Sequence, residues 1–268
     1  MIQLTNIAYS IGGSELLQDI SLTVSPGEMV AVIGANGAGK STLMRILSGL
    51  IRPSRGSLSL DGKDLFSYSA EEMARRRAVL DQQSVLTFGF SALEVVMMGR
   101  TPHMTGARKN LEISLEAMKT TGTDHLAGRS YPTLSGGEQQ RVHLARALAQ
   151  IWEPVEGGER YLFLDEPTSY LDLAHQHMAL SIASRCTQAG LGVLAVLHDL
   201  NLAANHANRV AVLKKGRLTA VGTPEETLTP EVLRDAFGIE TVVSRHPATQ
   251  GPLIVALHQP NSTQNNHL

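Results

Sequence analysis

Five consecutive apolar residues, Met29-Val30-Ala31-Val32-Ile33, run into Gly34-Ala35-Asn36-Gly37-Ala38-Gly39-Lys40-Ser41. A strand apolar on both faces belongs in the middle of a sheet covered by helices on both sides. A helical pattern follows directly, Ser41 to Leu50, with Leu43, Met44, Ile46 and Leu47 apolar and Gly49 near its end. This strand, loop and helix unit calls for a parallel α/β architecture. The loop has the spacing glycine, four residues, glycine, lysine, serine. Its glycines let backbone N–H groups face a polyphosphate, and the helix N-terminus adds a favourable dipole. Lys40 is expected to bridge terminal phosphates and the Ser41 hydroxyl to ligate Mg²⁺, with Thr42 as a helical neighbour.

The remaining pattern extends the same architecture. Alternating residues from Ile2 to Val24 read as strands, and a hairpin-like patch follows from Gly56 to Leu65. Helical periodicity at 70–77, 91–100 and 109–122 makes the middle third the most helical. Then come a helix from Gly136 to Gln150, the strand Tyr161 to Leu164, a helix near 173–189 and the strand Val193 to Leu197. A further helix begins near 201, followed by a strand Val210 to Leu213, a turn at Lys214-Lys215-Gly216-Arg217 and a helix at 230–237. The tail 258–268 is polar and expected to fray.

At roughly 150 residues per domain, 268 residues make one large domain or two small ones. Lys plus Arg total 23 against 25 Asp plus Glu, so no global positive charge draws the chain to nucleic acid. Cys186, the single cysteine, can form no internal disulfide and reads as a packing residue in a reducing compartment. No run approaches the length needed to span a bilayer and no leader precedes the first strand, so a cytoplasmic location is expected, with any membrane connection made through a partner.

Tyr161-Leu162-Phe163-Leu164-Asp165-Glu166-Pro167 is an apolar strand ending in two carboxylates, which strand alternation would point to opposite sides. Asp165 is assigned to the Mg²⁺ environment and Glu166 to polarising the water that attacks the γ-phosphate. Leu134-Ser135-Gly136-Gly137-Glu138 opens a helix, and Ser135 with Glu138 satisfies a capping box. A capping box leaves two consecutive glycines in the first turn unexplained, since they weaken the helix while leaving N–H groups open to an anion. A second phosphate contact is implied.

With these motifs in this order, the chain resembles the ATP-binding cassette ATPases over roughly residues 2–240. That resemblance implies a P-loop NTPase core with a mainly parallel sheet, an N-terminal antiparallel β subdomain and an inserted α-helical subdomain. On this basis residues 1–257 are expected to form a single ATPase domain with its helical subdomain at about 88–150. Gln82 looks like the glutamine that contacts Mg²⁺ and the attacking water, Ser169-Tyr170-Leu171-Asp172 like the loop after the acidic strand, and His198 like the switch histidine that senses the γ-phosphate. Two copies of such a chain sandwich two ATP molecules, so Ser135, Gly136, Gly137 and Asp172 would contact nucleotide held by the partner's loop. At the position where most relatives stack an aromatic on adenine stands Ile11, with Tyr9 on the same strand face as a substitute.

The segments Arg77-Ala-Val-Leu-Asp-Gln82 and Leu93-Glu-Val-Val-Met-Met-Gly-Arg100 resemble ATPase subunits of importers for iron chelates, cobalamin and haem. The insertion Ile151 to Gly158 and the stretch Asp172-Leu-Ala-His-Gln-His177 are most similar to hemin importers. This implies a homodimer on the cytoplasmic face of a bacterial inner membrane, bound to permease subunits and served indirectly by a periplasmic substrate-binding protein. His175 and His177, two apart on a helix, face away from each other and read as a solvated surface, not a haem site. The Arg75-Arg76-Arg77 run likewise reads as a solvated helix end. A soluble cassette acting on ribosomes or DNA shares the motifs, but one phosphate loop and the short interval from Lys40 to Ser135 disfavour it. A P-loop kinase would not need the serine-glycine-glycine helix start, and the importer-like segments disfavour the ATPase half of an exporter.

Overall fold

The structure is a computed structural model and describes residues 1–81, 89–169 and 171–257. Gln82, Tyr170 and the 258–268 tail therefore lie outside the described residues. Strands β1 (Ile2–Ile11) and β2 (Ser14–Val24) lead to β3 (Met29–Ile33), which the glycine-rich loop 34–39 joins to helix α1 (Lys40–Leu47). Strands β4 (Arg55–Leu60) and β5 (Lys63–Asp64) precede α2 (Ala70–Arg76) and β6 (Arg77–Leu80). Helices α3 (Ala92–Met97), α4 (Ala107–Thr120) and α5 (Gly136–Gln150) pack on one another as the helical region. Then follow β7 (Tyr161–Asp165), α6 (Leu173–Gln188), β8 (Gly192–Val196), α7 (Leu200–His206), β9 (Arg209–Lys214) and β10 (Arg217–Gly222). Helices α8 (Pro224–Thr227) and α9 (Pro230–Phe237) and the strands β11 (Thr241–Arg245) and β12 (Pro252–Ala256) complete the described chain.

Among the described residues three sheets form. One is antiparallel, in the order β2-β1-β4-β5, and one is a six-stranded sheet in the order β10-β9-β3-β8-β7-β6 with only its β10 edge antiparallel. The third is the β11-β12 hairpin. The unbroken apolar run of β3 has its reason in this placement. Met29, Ala31 and Ile33 face a core shared with α3, α5 and α6, whereas Val30 and Val32 face a second core shared with α1 and the antiparallel sheet. All five are fully buried, each large one worth about 1.5–3 kcal/mol.

Three expectations need correction. The first helix ends at Leu47, because Gly49 takes a left-handed φ of 69° that closes the turn, and Leu50 lies exposed beyond it. The arginine run is not a solvated end: only Arg75, paired with Glu71 one turn back, fits that description. Arg76 lies over the Tyr68 ring and pairs with Asp61, while Arg77 is already in β6, its Nε buried without a hydrogen bond and its pKa lowered by burial. The third correction concerns Glu166. It sits at φ 50°, outside the strand, so the alternation argument stops at Asp165.

Candidate nucleotide site

The parallel order β3-β8-β7 brings three chain exits side by side, with Val32 in register with Val196 and Val196 with Asp165. The loop 34–39 leaves β3, Asp165 ends β7 with Glu166 just beyond it, and His198 follows β8 two residues after Val196. Crevices outside the carboxyl ends of such strands are where open α/β sheets bind ligands.

Gly34 is required by space, since a Cβ there would lie 2.2 Å from the Leu213 carbonyl oxygen. Gly39 is required by backbone as well: at φ 107° it N-caps α1, and a Cβ would meet Leu17 at 2.8 Å. With glycine at this cap, no side chain takes the first-turn N–H groups of α1, unlike α2, α3, α5 and α8, which carry capping boxes. Lys40, buried at 7% exposure, donates from Nζ to the Gly34 carbonyl at 2.7 Å and the Ala35 carbonyl at 3.1 Å. An ammonium has three protons, so one is left for a ligand. Burial lowers the Lys40 pKa while the charges of Glu166 and Asp165 act to raise it, which places all three groups in one electrostatic neighbourhood.

Asp165 is the carboxylate whose surroundings best fit a cation. Its Oδ1 is buried without a hydrogen bond, and burial, reinforced by Glu166 and Asp81, pushes its carboxyl up to about 6 despite Lys40. A carboxylate so placed suits a hard divalent cation, as does the Ser41 hydroxyl expected beside it. Glu166 Oε1 meets His198 Nε2 at 2.5 Å, Ser169 Oγ donates to its Oε2 at 3.3 Å, and its N–H donates to the Val196 carbonyl at 3.2 Å.

The second cluster lies elsewhere. Ser135 caps α5: its Oγ accepts from the Glu138 N–H, and Glu138 Oε2 accepts from the Ser135 N–H and hydroxyl. Ser135, Gly136, Gly137, Glu138 and Arg141 line a groove whose other wall is Leu171, Asp172 and His175. No phosphate-loop residue lines this groove. The structure thus brings Asp172 to the serine-glycine-glycine turn within one protomer, and separates both from Lys40.

Of the two adenine candidates, Ile11 is 59% exposed at the end of β1, while Tyr9 pairs with Leu17 and packs against the core beneath. Cys186 is partly buried against the core and its thiol is pushed up to about 11 by burial, which matches a packing role. His177 rests against His206, their ring centroids 5.8 Å apart. Sequence reasoning missed Arg100, which is 2% exposed and holds Glu153 of the 151–158 insertion. A buried arginine opposite a glutamate some fifty residues away leaves no local pattern.

A family profile described as ABC transporter matches residues 17–169. The chain is 52% identical over 259 residues to a hemin import ATP-binding protein HmuV of Gloeobacter violaceus, covering 96% of this chain and 94% of that protein. The protein of the same name from Pseudomonas aeruginosa is 48% identical over 256 residues, covering 96% and 100%. Among solved structures, a candidate metal-chelate type ABC transporter in an inward-facing conformation matches with a TM-score of 0.80 and 27% identity, over 96% of this chain and 98% of the other. A bacterial ABC transporter cassette solved as a dimer matches with a TM-score of 0.73 and 28% identity, over 84% and 99%.

Proposed function

Because this chain belongs to the ABC transporter family, we propose that it is the ATP-hydrolysing subunit that powers hemin import, working as an ATP-sandwich homodimer beneath membrane permease subunits. Its place is the cytoplasmic face of a bacterial inner membrane, with a periplasmic substrate-binding protein delivering cargo to the permease. Among the described residues no helix is long and apolar enough to cross a membrane. One domain, residues 1–257 with the helical region at about 88–150, carries the activity.

The observation that carries this reading is the split of the two half-sites. Lys40, Asp165, Glu166 and His198 converge on one crevice, whereas Ser135, Gly136, Gly137 and Asp172 line a groove without phosphate-loop residues. Two copies facing head to tail complete both sites at once, and a C₂ dimer does so symmetrically.

In the crevice, N–H groups of Gly34 to Thr42 and the free Lys40 proton bind the phosphates, whose charge acts with Glu166 and Asp165 to favour the ammonium against burial. Ser41, Asp165 and Gln82 are the residues that would hold Mg²⁺, and the buried, unpartnered Asp165 Oδ1 fits that duty. Held by these residues, the ion would supply positive charge against that of the phosphates. Glu166 accepts the proton of the attacking water, and His198 holds the carboxylate until a γ-phosphate oxygen takes over the Nε2–H. Closure requires ATP, and hydrolysis removes the contacts to Ser135 and Gly137 in trans.

The test is turnover in the full complex with permease and binding protein, where hemin should stimulate ATP hydrolysis. Stimulation by cobalamin or a ferric siderophore, and none by hemin, would transfer the same machinery to that cargo.

A further inference from the structure

His175 stands one turn into α6, directly across the groove from the start of α5. Its backbone N–H and its ring both bond to the same atom, Oδ1 of Asp172, at 2.9 Å and 2.7 Å, the ring through Nδ1. A carboxylate only accepts, so Nδ1 carries the proton and the tautomer is fixed. Nε2 makes no hydrogen bond among the described residues. The N–H bond alone would cap the helix, as at α5, α8 and α9, so the ring contact is additional. It pins the carboxylate to the wall of the groove that Ser135, Gly136 and Gly137 share.

The other charged groups facing this pair come from α5. Arg141 donates from Nη1 to the Gly122 carbonyl at 3.1 Å, and Glu138 is engaged by Ser135 and Arg129. Neither makes a hydrogen bond or ion pair to Asp172. His175 is therefore the side chain that decides where this carboxylate sits when a second copy approaches.

We propose that His175 is a positioning residue for the trans half of the ATP site. Through Nδ1 it holds Asp172 against the groove wall, so that the groove opposite the serine-glycine-glycine turn stays open for the nucleotide-loaded loop of a second copy. Without the ring bond, only the His175 backbone N–H holds the Asp172 carboxylate, which can then turn toward the space an anion must enter, where it would repel phosphate. This rests on the sandwich-dimer reading above.

The experiment uses the full chain carrying Glu166→Gln, and measures by light scattering the MgATP concentration that drives dimerisation. Binding of a fluorescent ATP analogue is followed in parallel at low protein concentration, where the chain is monomeric. His175→Leu, which cannot donate, is expected to raise the MgATP requirement for dimerisation by about tenfold, the weight of one charge-assisted hydrogen bond. His175→Asn, which places an N–H donor close to Nδ1, should stay within about twofold of the parent, and monomer affinity for the analogue should be unchanged in both. Asp172→Asn keeps the helix cap but removes the charge, so His175→Leu should have little further effect in that background. Equal dimerisation by the Leu variant and the parent, or an Asn variant as impaired as the Leu variant, overturns the proposal. A fall in analogue affinity equal to the dimerisation loss does so too, since it assigns the effect to folding. A Glu166→Gln parent that stays monomeric in MgATP would instead sink the dimer reading itself.

Discussion

His198 Nε2 lies 2.5 Å from Glu166 Oε1, joining the second residue after β8 to the first residue after β7. In the proposed mechanism, the carboxylate that takes a proton from water is thus already oriented, by a donor that the phosphate can compete for. Glu166→Gln removes the proton acceptor while keeping the shape. It should bind MgATP and dimerise, with turnover lowered by about 10²–10⁴-fold, as for loss of a general base. Steady-state phosphate release and size measurement on the same sample check both parts, and ordinary turnover would remove Glu166 from this role.

Lys40→Ala should cost nucleotide binding, not only turnover. Two of its bonds go to the chain's own carbonyls, so its loss also loosens the loop, and the missing charge-assisted bond alone weakens ATP by about tenfold or more. Titration calorimetry with a non-hydrolysable ATP analogue reads this directly. Unchanged affinity would contradict the phosphate-loop assignment.

The pH dependence of stability should betray Asp165. Its carboxyl is raised from 3.8 to about 6, chiefly by burial, so between these values the folded chain binds more protons than the unfolded one. Stability from this group therefore falls as pH rises through that window and is flat above about pH 6. Asp165→Asn removes the penalty and should stabilise the nucleotide-free protein at pH 7.5 by about 1–2 kcal/mol, after allowance for solvent screening, or a few degrees in Tm. The same variant should lose the dependence of ATP binding on Mg²⁺, and for the natural chain that dependence should weaken as pH drops below about 6. Thermal melts of both proteins at pH 5 and 7.5 suffice, and a destabilised variant at pH 7.5 would refute the argument.

How much of this was legible beforehand follows from where the information lay. The strand, loop and helix around Lys40 was legible because every position there serves a local demand, buried faces in β3 and backbone approach at Gly34 and Gly39. Helix α5 was read to its observed ends, Gly136 and Gln150, because its cap and stripe are both local. Strand β6 was not: it opens with Arg77 immediately after a helix, and only pairing with β7 makes it a strand. Strands β10, β11 and β12 were missed too, since they are short edge or hairpin elements with exposed positions such as Val242 and Val255. In the site, residue types and spacing pointed to Asp165 and Glu166 and the family resemblance to His198, but the left-handed turn at Glu166 and its bond to His198 exist only once the strands lie side by side.

Arg100 shows the same limit and yields the last prediction. Its guanidinium donates to the Ala149 carbonyl at 2.8 Å, Thr105 Oγ1 and Asn110 Oδ1 each at 3.2 Å, and Glu153 Oε2 at 2.5 Å. One buried side chain thereby ties the end of α5, the start of α4 and the 151–158 insertion together. Removing one member of such a buried pair leaves the other uncompensated, which costs about 3–5 kcal/mol. Here Glu153 is 25% exposed and also bonds Lys109, so the lower end applies to Arg100→Leu. Glu153→Gln keeps an acceptor for the guanidinium and should cost about 1 kcal/mol, the loss of charge assistance alone. Urea denaturation of the two variants gives the ordering. A Glu153→Gln chain less stable than Arg100→Leu would mean that the insertion, not the arginine, is what the helical region depends on.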